Sequence, residues 1–282
     1  MRLIRFGSPG QERPGIEKEN GERIDVSYHL VDYTPEFFAS GGLDRLKQIV
    51  AEGKHLPAVP KDARLGPPVA RPHKFIAVGL NYRKHAEETN NPIPTEPVLF
   101  TKATSCLSGP NDEIVIPRGS LKLDYEVELA FVMTKKASYL ESEAEAMNHV
   151  GGFMVCNDVS ERHFQSERAG QWMKGKGCDT FGPLGPVLVT TDELKDYGKL
   201  AISLTVNGET RQSSNTDDMI FTVPHIVWYI SQFMTLEPGD VITTGTPSGV
   251  ASGMKPQGWL KAGDVVEATI EKIGTLSQKV VG

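Results

Sequence analysis

The chain has 282 residues and a net charge of −6, with Lys and Arg scattered rather than gathered into a basic patch, which argues against a nucleic-acid partner and favours a small-molecule ligand. Cys106, Cys156 and Cys178 match neither a disulfide framework nor a zinc spacing, so they are expected to be reduced thiols. The opening "MRLIRFGSPGQERPG" is too poor in apolar residues for a leader or a membrane span, so a cytoplasmic protein without membrane association is expected.

The first elements are short strands joined by the Asn20-Gly21 turn, followed by a helix from Gly42 to Gly53. Five prolines between 57 and 72 then predict an extended connector, and the boundary is placed near residue 70: a small N-terminal domain over 1–70 and a main domain over 71–282. Beyond it, short apolar runs punctuated by Gly and Pro predict an α+β, mostly β fold. Helices are expected from Tyr82 into Glu87-Glu88, from Ser142 to His149, from Ser160 to about Met173 and from Val223 to Phe233. The last is apolar nearly all round and therefore buried.

Among the strands, "LDYEVELAFV" (123–132) alternates strictly, and its second half places Asp124, Glu126 and Glu128 on one face. Residues two apart on a strand stand roughly 6.5–7 Å apart, so Glu126 and Glu128 can reach one hard cation such as Mg²⁺ or Mn²⁺. A solvated amphipathic edge strand explains the same pattern. Asp158, ending the apolar run "GGFMVCND", can complete the cation site or cap the following helix. Asp124, at the mouth of the strand, is the weaker ligand candidate. In "GLNYRKHAEE", His85 and Glu88 are three apart on one helical face, which suits either a general-base pair or a chance surface pair. Lys176 lies in the glycine-rich "KGKGCDTFGPLGP", where an ammonium can face an anionic oxygen. "GQWMKGKG" lacks the Ser or Thr of a phosphate loop, and no G-x-S-x-G, H-E-x-x-H or G-x-G-x-x-G occurs.

Taken in order, "GLNYRKHAEE", "PVLFTKATSCLSGP", "LDYEVELAFVM", "CNDVSERHFQ", "KGKGCDTFGPLGP" and "ITTGTPSGV" resemble the fumarylacetoacetate hydrolase family over residues 71–282, in its bacterial branch acting on 2,4-dioxo acids. The resemblance implies a mixed β-roll and a homodimer. It implies Glu126, Glu128 and Asp158 as ligands of Mg²⁺ or Mn²⁺, His85 and Glu88 as a water-activating dyad, and Lys176 as stabiliser of an enolate. It further places Arg162 and Gln165 near a bound 2-oxo acid and Thr246 at its carboxylate. The implied reaction is hydrolysis of an acylpyruvate-type substrate, including 2,4-diketo-3-deoxy sugar acids, to pyruvate and a carboxylic acid. Oxaloacetate decarboxylation and dioxo-acid hydration or isomerisation are the alternatives. His163, where many members have Asp, and Gly177, where Ser or Asn is common, depart from the pattern.

Overall fold

Val127–Met133 pairs antiparallel on one side with Val150–Asn157 and on the other with Val241–Thr243, and every residue of it is buried. In this computed structural model, which describes residues 1–53 and 56–282, that strand lies inside an 11-stranded mixed sheet. The order runs Arg23–Asp25, Arg13–Glu17, Arg2–Phe6, Gly182–Thr190, Val150–Asn157, Val127–Met133, Val241–Thr243, Phe75–Gly79, Val98–Thr101. Leu65–Gly66 and Leu107–Ser108 pair onto it from the side. A five-stranded sheet, Glu209–Asn215, Ala201–Val206, Val265–Ile270, Gly274–Val281 and Ile114–Val115, packs against the central strands. Leu129, Phe131, Phe153, Val155, Leu188 and Ile242 are buried in the shared core. The fold is mostly β with mixed sheets, as the sequence predicts.

One expectation needs correcting. A solvated face is the simplest account of an alternating strand, but here both faces are covered: the second sheet packs on the apolar side, where Phe153 stacks on Tyr197 and Asn157 bonds Gln278, while the elements carrying Lys102, Arg162, Lys176 and Gly245 close over the acidic side. Asp124 is 0%, Glu126 5% and Glu128 1% exposed. Nor is the strand continuous: Leu123–Asp124 pairs with Ser160–Glu161, and the regular strand resumes only at Val127.

Residues 1–70 add three strands to the edge of the main sheet, Arg2–Phe6 pairing with Gly182–Thr190 through Arg2↔Val189 and Leu3↔Leu188. The proline-rich stretch is not wholly irregular, since Leu65–Gly66 pairs back onto Arg5 and Phe6. The helix expected from Ser160 to Met173 is instead a strand at Ser160–Glu161, a helix at Arg162–Ser166 and a separate turn of helix at Met173–Lys176. Glu161 starts the first helix by accepting from the His163 N–H, and the left-handed residues Ala169 (φ 62°) and Gly170 (φ 68°) separate the two. Lys176 therefore closes a helix rather than riding in a loop. Likewise 142–149 splits into Glu143–Ala146 and a 3₁₀ turn, Met147–His149. The helices Gly42–Ala51, Arg83–Glu88 and Val223–Ser231 form where the sequence places them. Among the described residues no helix is long and apolar enough to cross a membrane.

Candidate active site

Glu126 and Glu128 leave the same side of the bent strand, and Asp158 joins them because its backbone N–H bonds the Glu126 carbonyl at 2.8 Å. Each of the three offers a carboxylate oxygen within 4.8 Å of the others. Buried acids demand partners, and two of these have them. Glu126 accepts from Arg162 through Oε1 and from Lys176 Nζ through Oε2 at 2.7 Å. Asp158 accepts from Lys102 through Oδ1 and from Lys176 Nζ through Oδ2 at 2.8 Å. Burial by itself would raise the Glu126 pKa, but Arg162 and Lys176 hold it down to about 2. Burial opposes the charge on Lys102, which is buried, and on Arg162, which is partly so, but their acid neighbours keep both cationic by raising their pKa above the ordinary values.

Glu128 differs. Its Oε2 accepts from the backbone N–H of Gly245 at 2.9 Å, while burial and the nearby Asp158 and Glu126 push its pKa well above the carboxylate range. A carboxyl so placed is relieved by positive charge. Three carboxylates with no thiolate or imidazole among them are a donor set for a hard divalent ion, so the residues fit the metal that the sequence implies. Asp158 does not cap the helix: Glu161 does, and the Asn157 amide oxygen accepts from the Glu126 N–H at 3.0 Å.

Opposite the acids stands His85, 7% exposed, on the helix Arg83–Glu88. Its Nδ1 lies 3.4 Å from Glu88 Oε2, so the pair faces as its spacing predicts. Glu88 is itself fixed: both its oxygens accept from the Gly249 N–H, at 3.0 and 3.1 Å. Gly249 has φ 103°, and a Cβ there would stand 2.0 Å from the Arg211 carbonyl oxygen, so only glycine can present that N–H. Two residues further on, Ala251 and Ser252 donate their N–H groups to Asp124 at 2.7 and 3.1 Å.

A cavity of about 330 Å³ is lined by His85, Glu126, Glu128, Arg162, Gln165, Lys176 and Thr246. Gln165 Oε1 accepts from Arg162 Nη1 at 3.1 Å, which pins both at the wall. The Thr246 hydroxyl gives its proton to the Val127 carbonyl at 2.9 Å and accepts from Gln212 Nε2 at 2.8 Å, so it has no proton to offer a carboxylate. Trp172, Phe100 and Trp259 form apolar walls, and Lys122 with Glu167 flanks the polar side.

Sequence reasoning passes over two residues. Lys102, with its side chain 0% exposed, binds Asp158 and the Lys176 carbonyl oxygen at once. It stands in the "PVLFTKATS" block, yet 56 residues separate it from Asp158 and no spacing rule links them. Asp124, set aside as a weak ligand, serves as the partner of Arg162 and of the 251–252 turn.

A family model for the fumarylacetoacetate (FAA) hydrolase C-terminal domain matches residues 74–281. A Burkholderia multivorans protein, named provisionally as a hydrolase, is 50% identical over 275 residues, covering 97% of this chain and 96% of its own. The solved fumarylacetoacetate hydrolase of Exiguobacterium antarcticum is 37% identical, with a TM-score of 0.87, covering 100% of this chain and 99% of that one. Maleylpyruvate hydrolase of Sphingobium sp. SYK-6 is 30% identical, with a TM-score of 0.81 and coverage of 100% and 99%. Isomerases also stand among the similar solved structures. A fold shared along the full length, and a sequence match running through every element that carries the site, make this chain an enzyme of the fumarylacetoacetate hydrolase family.

Proposed function

We propose that the enzyme hydrolyses the C3–C4 bond of a 2,4-dioxo acid of the acylpyruvate type, giving pyruvate and a carboxylic acid. The observation that carries this reading is the placement of His85, Glu126, Glu128 and Lys176 around one cavity, with Glu88 beside the His85 ring and Asp158 bonded to Lys176. A cation held by Glu126, Glu128 and Asp158, Mg²⁺ or Mn²⁺, would supply Lewis-acid stabilisation of negative charge when bound. Glu88, held by Gly249, orients the imidazole of His85. His85 takes a proton from water, and the hydroxide adds to the C4 carbonyl. The C3–C4 bond then breaks, its electron pair passing to the pyruvate enolate while C4 departs as the carboxylic acid. The Lys176 ammonium stabilises the enolate oxygen, and the proton that His85 took from water is returned to C3, which completes pyruvate and restores the neutral imidazole. Arg162 and Gln165 hold the 2-oxo acid, and Thr246 contributes its backbone at the cavity wall rather than its hydroxyl.

The apolar walls beside a polar Lys122–Glu167 flank suit an acyl chain with one apolar face and one hydroxylated face, which includes deoxy sugar acids. Decarboxylation and isomerisation use the enolate half of the site but need no attacking water. The test is a coupled assay for pyruvate release across plain and hydroxylated 2,4-dioxo acids and oxaloacetate, with wild type and His85→Ala. Dioxo-acid hydrolysis at an unchanged rate in His85→Ala would refute the dyad. Turnover of oxaloacetate alone would replace hydrolysis by decarboxylation.

A further inference from the structure

This inference rests on the assignment of Glu126, Glu128 and Asp158 as cation ligands and concerns what contests that position. Both oxygens of Glu126 accept from cationic donors, Arg162 and Lys176, and both oxygens of Asp158 accept from Lys102 and Lys176. Three carboxylates thus face three fixed positive charges, Lys102, Arg162 and Lys176, before any divalent ion is counted. The three cations are not equally held. Arg162 is also tied to Asp124 and Gln165, outside the cluster, and Lys102 is tied to the Lys176 carbonyl. The Lys176 ammonium donates to Glu126 and Asp158, and it also lies over the face of the Phe100 ring, 5.2 Å from the centroid. That ring is backed edge-on by Trp172 at 5.3 Å. Phe100 therefore offers a nearby surface on which an ammonium released from the acids is still stabilised.

We infer that Lys176 is a built-in competitor of the divalent cation: its ammonium contests the same carboxylates, and a bound 2-oxo acid settles the contest by giving that ammonium an anionic oxygen instead. A dication entering alone meets Glu126 and Asp158 already paired and must push Lys176 aside. An anion arriving with it accepts both the metal and the lysine. Cation and anion therefore strengthen one another, and by linkage each does so to the same degree. Lys176 acts twice, first as gatekeeper of the metal position and then as the donor to the enolate oxygen.

The test measures Mn²⁺ binding to the metal-stripped full chain by electron paramagnetic resonance, with and without oxalate. Lys176→Met should bind Mn²⁺ about tenfold more tightly than wild type without oxalate, the scale of a removed neighbouring charge. The gain that oxalate confers should be smaller in the variant, which has no ammonium to reassign. Lys176→Gln, which keeps a donor for the two carboxylates, should tighten Mn²⁺ binding in the same direction and serves if the Met variant does not fold. Lys176→Arg, which keeps the charge, should stay as weak as wild type, and tightening there equal to that in Lys176→Met would overturn the inference. Wild type that binds Mn²⁺ alongside Met and Gln variants that bind it no more tightly would overturn the competition while leaving the ligand assignment standing. Wild type that binds no Mn²⁺ in either condition would overturn both.

Discussion

Asp124 Oδ2 accepts from Arg162 Nε at 2.8 Å, with the carboxylate fully buried. Through that one side chain two halves of the site meet. Arg162 holds Glu126, while the Asp124 oxygens also hold the Ala251 and Ser252 amides, two residues beyond the Gly249 N–H that fixes Glu88. The acid cluster and the His85–Glu88 pair are thus braced against a common turn.

Asp124→Asn should accordingly harm both halves. It leaves Arg162 with one fewer counter-charge in a buried setting, and breaking such a pair costs about 3–5 kcal/mol. Urea denaturation should report that loss. The KM for the 2-oxo acid should rise as well, since Arg162 is freed to swing from the wall.

Glu128→Gln should go the other way in stability. With its folded-state pKa raised well above 4.5, Glu128 contributes stability that is full below pH 4.5 and is lost as pH rises through the folded value. The neutral amide escapes that loss, so metal-stripped Glu128→Gln should be more stable than wild type at neutral pH by roughly 1–2 kcal/mol while losing metal-dependent turnover. Glu126 has the opposite sign. Its folded pKa of about 2 lies below 4.5, so its contribution is present above pH 4.5 and disappears as pH falls toward 2. Glu126→Gln should flatten that acid limb in thermal scans of the metal-stripped protein.

Removing the general base should cost turnover rather than binding. His85→Ala is expected to lower kcat by about 10²–10⁴-fold with little change in KM. Glu88→Gln should cost less, because the Gln oxygen can still accept from Gly249 and keep a polar group beside the imidazole. Stopped-flow measurement of pyruvate release separates the two variants.

Gly79→Ala tests the cavity wall. A Cβ at Gly79 would stand 2.7 Å from the Trp172 ring, so the indole must shift into the space where the acyl group is expected. KM should rise more for bulky dioxo acids than for small ones, with kcat on the small ones nearly kept.

Much of the site is legible in sequence because its members occupy positions with strong local constraints. Glu126 and Glu128 interrupt an apolar strand with period two, and His85 and Glu88 share a helical face. The buried state of the acids was not legible, since alternation describes one covered face and cannot report that the helices bearing Arg162 and Lys176 and the loops bearing Lys102 and Gly245 close the other. The helix expected to run from Ser160 to Met173 failed for a similar reason: helical content was read correctly, but the left-handed Ala169 and Gly170 break it, and the Glu161 cap is set by its place beside Lys122.

What the sequence by itself determined is the mostly β character and the family, which follow from local pattern and block order; it also singled out the candidate acids and His85. The tertiary structure alone decided the charge balance. Lys102 comes from an edge-strand exit and Lys176 from a helix end, while Arg162 begins a helix pinned to Asp124. Those cations meet the acids only when the roll closes. Coulomb energy depends on separation in space and on burial, and neither is carried by position along the chain.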